Sequence, residues 1–324
     1  MRVSYQDLYD ALVRALVKTG IDPDRGSLCA RLIADSSRDG VASHGLNLFP
    51  RLMTMIRAGV VDVQARPAQV SAHGALERWD GRRGIGALNA HTCMGAAIAL
   101  ARAHGIGCVA LANTNHWMRG GTYGWQAADA GVIGLCWTNT LPNLPPWGAT
   151  TPRVGNNPLV IAVPRAAGAH VVLDMAMSQF SYGALASYRM RGEALPVPGG
   201  FDAAGELTTD PAAIEASRRP LPIGFWKGSG LALMLDMMAA LLSGGRATHE
   251  VPAHPEQETG LSQVFIAADV AHLEAPGAAS ATVDAILEDL QARYPGERTV
   301  ATRRENLEQG IPVEPSIFEL VCSL

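Results

Sequence analysis

Two histidines stand where a chain could hold them for proton chemistry. His44 lies in "VASHGLNLFP" (41–50), between two stretches patterned as helices. His116 lies in "NTNHWMRGGTYGW" (113–125), directly after a short apolar run. An imidazole has an unperturbed pKa close to neutrality, so it can give a proton and recover it within one cycle. The N-terminus of a following helix would lower the pKa of His44, and Ser43 could orient one of its ring nitrogens. A hydrogen-bonded turn histidine is the ordinary alternative. Asn113, Asn115 and Arg119 surround His116, with Trp117 and Tyr123 nearby. The C-terminal ends of strands are where α/β sheets place their ligands. "WTNTLPNLPPWG" (137–148) follows the next apolar run with the same polar and aromatic character, so the two loops read as walls of one pocket.

A third candidate is "GFWKGSGLALML" (224–235). Gly228, Ser229 and Gly230 precede an apolar helix, which would leave free backbone N–H groups beside Lys227 for a phosphate. An ordinary glycine-rich helix entry with a solvated lysine remains the alternative. Other patterns fail on spacing. "GIGCVA" (105–110) has the glycines of a dinucleotide fingerprint but follows a helix and opens a strand, the reverse of what phosphate binding needs. "HEVPAH" (249–254) has histidines five apart with Pro252 between them, so they cannot share a helix face. No metal is expected, and no G-x-S-x-G elbow offers a nucleophile.

These residues need elements to hold them. Ser4 can cap a first helix with Asp7 at its third position, and Leu8, Leu12 and Leu16 recur every four residues up to Gly20. Further helices fit 23–38, with Pro23 near the start and Gly40 as the stop, and 46–57. After this helical segment the pattern alternates. Helix is expected at 87–105, 122–131, 229–242, 280–293 and 299–309. Strands are expected at 107–113, 132–138, 158–164, 170–175 and 262–270. Buried strands among helices predict an α/β sheet covered on both faces. The N-terminal helical part (1–65) is expected to pack with C-terminal helices (299–324) beside an α/β part (66–298).

Composition narrows the function classes. The 324 residues carry 48% hydrophobic and 17% charged side chains, enough for a substantial core. A net charge of −4 gives no basic footprint for nucleic acid or an anionic membrane. Five cysteines without a C-x-x-C pair read as reduced core thiols. The first twenty residues lack an apolar signal region, and the apolar stretch 230–245 is interrupted by Asp236. A soluble cytoplasmic protein is expected.

Several long motifs carry a resemblance. "SHG" (43–45), "NHWMRGGTYGWQAADAGVIGLCWTN" (115–139), "PPWGA" (145–149), "GNNPLVIAVP" (155–164), "LDMAMSQFSYG" (173–183) and "GFWKGSGLALMLDM" (224–237) resemble the type-2 malate/lactate dehydrogenase family. That family includes ureidoglycolate and sulfolactate dehydrogenases and piperideine-2-carboxylate reductases. The "HWMRGG", "CWTN", "PPWGA" and "FWKGSG" details are most similar to its diketogulonate-reducing branch. The resemblance implies a non-Rossmann mixed-sheet α/β fold, a homodimer, and NAD(P)-dependent reduction of a small 2-oxo acid such as 2,3-diketo-L-gulonate. NADH is preferred and NADPH not excluded. His44 matches the proton donor of the diketogulonate reductases, and His116 the acid/base residue of the ureidoglycolate dehydrogenases; Ser43 joins the catalytic group. The implied cofactor contacts are Thr140, the run His170, Val171, Val172, Leu173, Asp174, Met175 and Ala176, then Trp226, Lys227, Gly296, Glu297 and Arg298.

The family pattern S-H-G-x-x-R is broken here by Leu48. Arginine is the natural bidentate partner of a substrate carboxylate. Arg51, three residues further, and Arg119 are the expected substitutes, with Trp147 as a further substrate contact. Alternative readings are a malate/lactate- or ureidoglycolate-type dehydrogenase, a cyclic-imine reductase, or a dinucleotide-binding paralogue without turnover.

Overall fold

The structure, a computed structural model, describes residues 1–271, 273 and 277–324. A two-residue strand β1 (Arg2–Val3) leads into helices α1 (Tyr5–Val17), α2 (Pro23–Arg38) and α3 (Phe49–Arg57). The capping chemistry sets their starts. Ser4 Oγ accepts the Asp7 N–H at 3.0 Å, and Asp22 caps α2 by accepting the Arg25 N–H at 3.1 Å. Leu8, Leu12 and Leu16 are fully buried, as their four-residue period requires. Before α3 the chain makes two short 3-10 turns, Ala42–His44 and Leu46–Leu48. The expected helix 46–57 is therefore a true α-helix only from Phe49.

Next come β2 (Ala68–His73), β3 (Leu76–Asp80), α4 (Gly86–His104), β4 (Ile106–Asn115), α5 (Gly121–Asp129), β5 (Ile133–Thr138), β6 (Leu159–Val163) and β7 (Val171–Met175). A small excursion follows: α6 (Tyr182–Arg191), the hairpin β8 (Gly200–Phe201) with β9 (Leu207–Thr208), and α7 (Pro211–Ser217). Leu185, Leu195 and Ile214 give it a core of its own. The chain then runs through α8 (Trp226–Ser243), β10 (Thr259–Ala268), α9 (Ala278–Leu290), α10 (Glu297–Gln309), β11 (Ile311–Pro312) and α11 (Pro315–Ser323).

Seven strands form one mixed sheet in the order β2-β3-β4-β10-β5-β6-β7. β3 and β4 run parallel, and the other neighbours are antiparallel. Both faces are covered. On one face Val109, Leu111 and Phe265 meet Met94, Ala97 and Trp117. On the other, Ala110 and Val264 meet Ala232, Leu235 and Ala239 of α8. The alternation of Val109, Ala110 and Leu111 between the two cores explains why β4 reads as a continuous apolar run.

The N-terminal helices build a separate core that includes Ile311, Val313 and Val321 from the C-terminal end. β1 pairs antiparallel with β11 to close that contact. Among the described residues, no helix is long and apolar enough to cross a membrane.

Candidate active site

The turn carrying His44 is clasped onto α2. Ser37 Oγ accepts the Leu46 N–H at 2.9 Å and donates to Ile33 O at 3.2 Å. Gly45 is what permits this approach. A Cβ there would collide with Ser37 Oγ and come within 2.9 Å of Ser37 N. His44 is thereby held at a fixed turn rather than on a mobile loop. Ser43 Oγ lies 3.0 Å from His44 Nδ1 and can orient the ring.

His116 follows β4 and sits above the start of α4. The close packing needs Gly86, where a Cβ would collide with the carbonyl oxygens of Asn115 and His116. Asn115 Nδ2 donates to Arg83 O and Gly84 O at 2.7 and 2.8 Å, and the Tyr123 hydroxyl donates to Trp117 O at 2.5 Å. Met118 adopts a φ of 63°, and its N–H donates to His116 Nδ1 at 3.1 Å. With Nδ1 accepting, the proton of the neutral ring resides on Nε2. The rings of His44 and His116 are 6.0 Å apart and inclined by 22°. Residues separated by 72 positions thus form a stacked pair.

Burial is the first cause of the lowered pKa of both rings, because it penalises the imidazolium. For His44 the charge of Asp174 opposes that shift and the charge of Arg119 adds to it. For His116, driven well below its ordinary value, Arg51 and His44 both add. Asp174 is fixed at the end of β7, where its Oδ2 accepts the Gly121 N–H at 2.7 Å.

The two arginines expected to hold a substrate carboxylate have different settings. Arg119 is 5% exposed and paired with the buried Asp39 at 2.7 Å. Arg51 lines a crevice with Leu48, Leu52, Met55, Asn115 and His116. Its Nη2 donates to Pro255 O and pairs with Glu258 Oε2 at 2.7 Å. The other Glu258 oxygen accepts the Leu141 N–H at 3.0 Å. Arg51 Nε is buried without a partner, a donor left over beside His116. Asp39 and Glu258 escape sequence reasoning; their one signal would have been an acid placed just before a turn or a strand.

The segments implied as cofactor contacts fall into two groups. Val172 N–H donates to Pro295 O at 3.0 Å, so the run 170–176 lies against the Pro295–Arg298 segment. Glu297 Oε2 there is buried and has no hydrogen-bond partner. The His170 imidazole points elsewhere. Its Nδ1 accepts the Arg165 N–H at 3.0 Å, its Nε2 pairs with Asp129 at 2.9 Å, and its ring packs 5.7 Å from Trp125. The ring is held by Trp125 and Asp129, while the His170 carbonyl faces Gly296.

The second group surrounds the start of α8. Trp147 N–H donates to Ser229 Oγ at 3.0 Å, and its ring lies 5.1 Å from Phe225. Trp226 and Lys227 are exposed. One expectation is corrected here. The helix starts at Trp226, ahead of the glycines, and the N–H groups of Lys227, Gly228 and Ser229 donate to Gly224 O, Ile223 O and Phe225 O. Free N–H groups do not cluster beside Lys227, whose ammonium has no ion-pair partner among the described residues. Phe225, at φ 58° and ψ −115°, absorbs the sharp entry into the helix. Thr140 is buried between these groups: its N–H donates to Asn157 Oδ1 at 3.1 Å and its Oγ1 to Asn156 Oδ1 at 3.2 Å.

The family profile described as malate/L-lactate dehydrogenase matches residues 3–321. The chain belongs to that family. It is 43% identical to a 2,3-diketo-L-gulonate reductase of Citrobacter koseri, with all of both chains covered. Among solved structures it is similar to a sulfolactate dehydrogenase from Methanocaldococcus jannaschii (TM-score 0.91, 26% identity, 100% of this chain and 97% of that one). It is also similar to a Δ1-piperideine-2-carboxylate reductase from Pseudomonas syringae pvar. tomato (TM-score 0.89, 29% identity, 100% and 99%). This member of the family is an oxidoreductase with a mixed α/β fold.

The charge environment makes a direct prediction. In an NMR pH titration, the His116 ring resonances should remain those of the neutral Nε2–H tautomer well below pH ~6.5, the ordinary histidine midpoint. A His116 that titrates at or above that midpoint would contradict the described burial.

Proposed function

We propose that this oxidoreductase uses a nicotinamide dinucleotide to reduce a small 2-oxo acid, with 2,3-diketo-L-gulonate as the leading substrate. The observation that carries this reading is the half-buried, stacked His44–His116 pair, in which Asp174 offsets positive charge at His44 while only positive groups act on His116. When bound, the nicotinamide supplies the hydride. His44 protonates the resulting alkoxide, because Asp174 favours its charged form. His116, kept neutral by burial and by Arg51, directs Nε2–H at the same oxygen. Ser43 orients His44 through Nδ1. Arg51, with Nε unpartnered, takes the substrate carboxylate beside the apolar Leu48.

The residues fit a dinucleotide. The buried unpartnered carboxylate oxygen of Glu297 suits a ribose hydroxyl and disfavours a 2′-phosphate, which supports NADH over NADPH. Lys227 suits a pyrophosphate, and the exposed Trp226 and Trp147 can shield the ring from water. A second copy of the chain belongs in this reading. Leu231, Met234, Met238 and Leu241 are exposed along α8 at three- and four-residue spacing, an apolar stripe of the kind that helices bury against a partner. Analytical ultracentrifugation should give a dimer mass for the wild type and a monomer mass for Met234→Glu with Leu241→Glu. A wild-type monomer would remove the stripe from this role.

Activity is tested by following NADH and NADPH oxidation against a panel of 2-oxo acids. His44→Ala should lower kcat about a hundredfold or more while cofactor still binds, since general acid catalysis is worth ~10² to 10⁴. Reduction needs the imidazolium, so its rate should fall as pH rises through a midpoint below ~6.5; the reverse oxidation should rise through the same midpoint. Near-normal turnover by His44→Ala would transfer the donor role to His116.

Leu48 sets the remaining specificity. Its side chain offers no charged hydrogen bond, so compact dicarboxylates such as oxaloacetate should be poor substrates. Leu48→Arg should raise kcat/KM for them about ten- to a hundredfold, the equivalent of ~1.5 to 3 kcal/mol for a charge-assisted contact. If the wild type already handles oxaloacetate well and Leu48→Arg changes nothing, Arg51 alone holds the carboxylate.

A further inference from the structure

Asp39 closes α2, five residues before His44, and Arg119 lies three residues after His116. Asp39 and Arg119 are each 5% exposed. Asp39 Oδ2 accepts from Arg119 Nη1 at 2.7 Å and from Arg303 Nη2 at 2.8 Å. Asp39 Oδ1 accepts from Arg303 Nε at 2.8 Å and from Arg38 Nε at 2.9 Å. One carboxylate is thus shared by three guanidinium groups from α2, the His116 loop and α10. Burial alone would raise its pKa, but Arg303, Arg119 and Arg38 outweigh burial and hold it below the usual range.

We propose that Asp39 is a positioning residue for the histidine pair, fixing the turn that carries His44 against the loop that carries His116 through Arg119. The proposal rests on reading that pair as the proton-transfer centre. Arg303 and Arg38 share Oδ1, and Oδ2 is the oxygen that reaches Arg119. Arg119 Nε has no partner, and the Arg119 charge reaches His44. Asp39 therefore has two effects at a distance. It holds the two segments in register, and it offsets a positive charge that would otherwise discourage protonation of His44. The other groups facing His44 are Asp174 from β7, the His116 ring from the end of β4, and the adjacent Ser43 hydroxyl.

A purely structural role would be to staple α10 to α2, which is the task of the Asp39–Arg303 contact. Two variants separate these roles. Asp39→Asn leaves Arg119 uncompensated; Arg303→Met removes the staple but keeps the Asp39–Arg119 pair. In Asp39→Asn the NMR titration midpoint of His44 should move down by about half a unit or more. Its kcat should fall about tenfold to a hundredfold, the scale of a misplaced catalytic group, with KM for NADH within about twofold. Asp39→Glu should restore the midpoint. Arg303→Met should lower Tm yet keep the wild-type His44 midpoint and kcat. If Asp39→Asn does not fold, Arg119→Gln supplies the titration with the opposite sign, an upward shift of His44. The proposal is overturned if Asp39→Asn keeps the wild-type midpoint and kcat, if Arg303→Met reproduces its effects, or if Arg119→Gln leaves His44 unmoved. The titration needs no substrate, so a failure of the 2-oxo acid panel would count against the reductase reading alone.

Discussion

Strand β10 pairs with β4 along one edge and with β5 along the other, and the site is built from that double register. Val264 opposes Ala110 on one side and Trp137 on the other. The loops after β4 and β5 therefore start from neighbouring positions in the sheet. β10 starts at Thr259, so Glu258, immediately before it, lies beside the Leu141 backbone and within reach of Arg51. Gln263 Nε2, in mid-strand, donates to Asn115 O at 3.3 Å under the His116 loop. Sliding β10 by one residue would exchange the faces of Val264 and Phe265, opening both cores and withdrawing these contacts together.

The same burial that makes the sheet stable dictates the electrostatics. An imidazole taken from water loses proton affinity, and a second imidazole 6.0 Å away adds to that loss. Two arginines close to such a pair would suppress protonation further if left bare. Each is instead matched with a buried acid, Arg119 with Asp39 and Arg51 with Glu258. Stripping one member from either pair would leave an uncompensated charge in a poorly solvated place, a cost larger than the pair is worth when intact. Asp174 completes the pattern from the opposite side. It gives His44, and not His116, a nearby negative charge. The asymmetry between two chemically identical rings thus follows from an acid beside His44 and none beside His116.

Local chemistry was legible and long-range pairing was not. Ser4, Pro23 and the leucine period of α1 announce helices through contacts within a few residues, and those helices start where these residues stand. His44 and His116 stand out because each sits at an element boundary among polar neighbours. The weak strands β2 and β3 escape because "AQVSAH" and "LERWD" mix charge with few apolar positions. The small excursion from α6 to α7 has a core of only a few residues and so leaves little periodic signal. The pairing of Asp39 with Arg119 spans 80 positions, which no spacing rule reports. His170 shows how a local signal can miss a side chain's partner. The strand expected at 170–175 is β7 from Val171, while the His170 ring just before it pairs with Asp129.

Leu48 and Arg51 show how one crevice can combine two chemistries. The 3-10 turn before α3 points Leu48 at the same hollow that α3 lines with Arg51, Leu52 and Met55. A guanidinium at an apolar wall binds an anion more tightly than one in water, because fewer water molecules compete and the local dielectric is low. It also binds one anion better than two, since a second carboxylate would face Leu48 without a donor and lose its hydration. Glu258 sharpens that preference by taking up part of the Arg51 charge. On the proposed reading, such a crevice would favour a single carboxylate next to the reacting carbon, with the rest of the molecule either uncharged or directed away from Leu48.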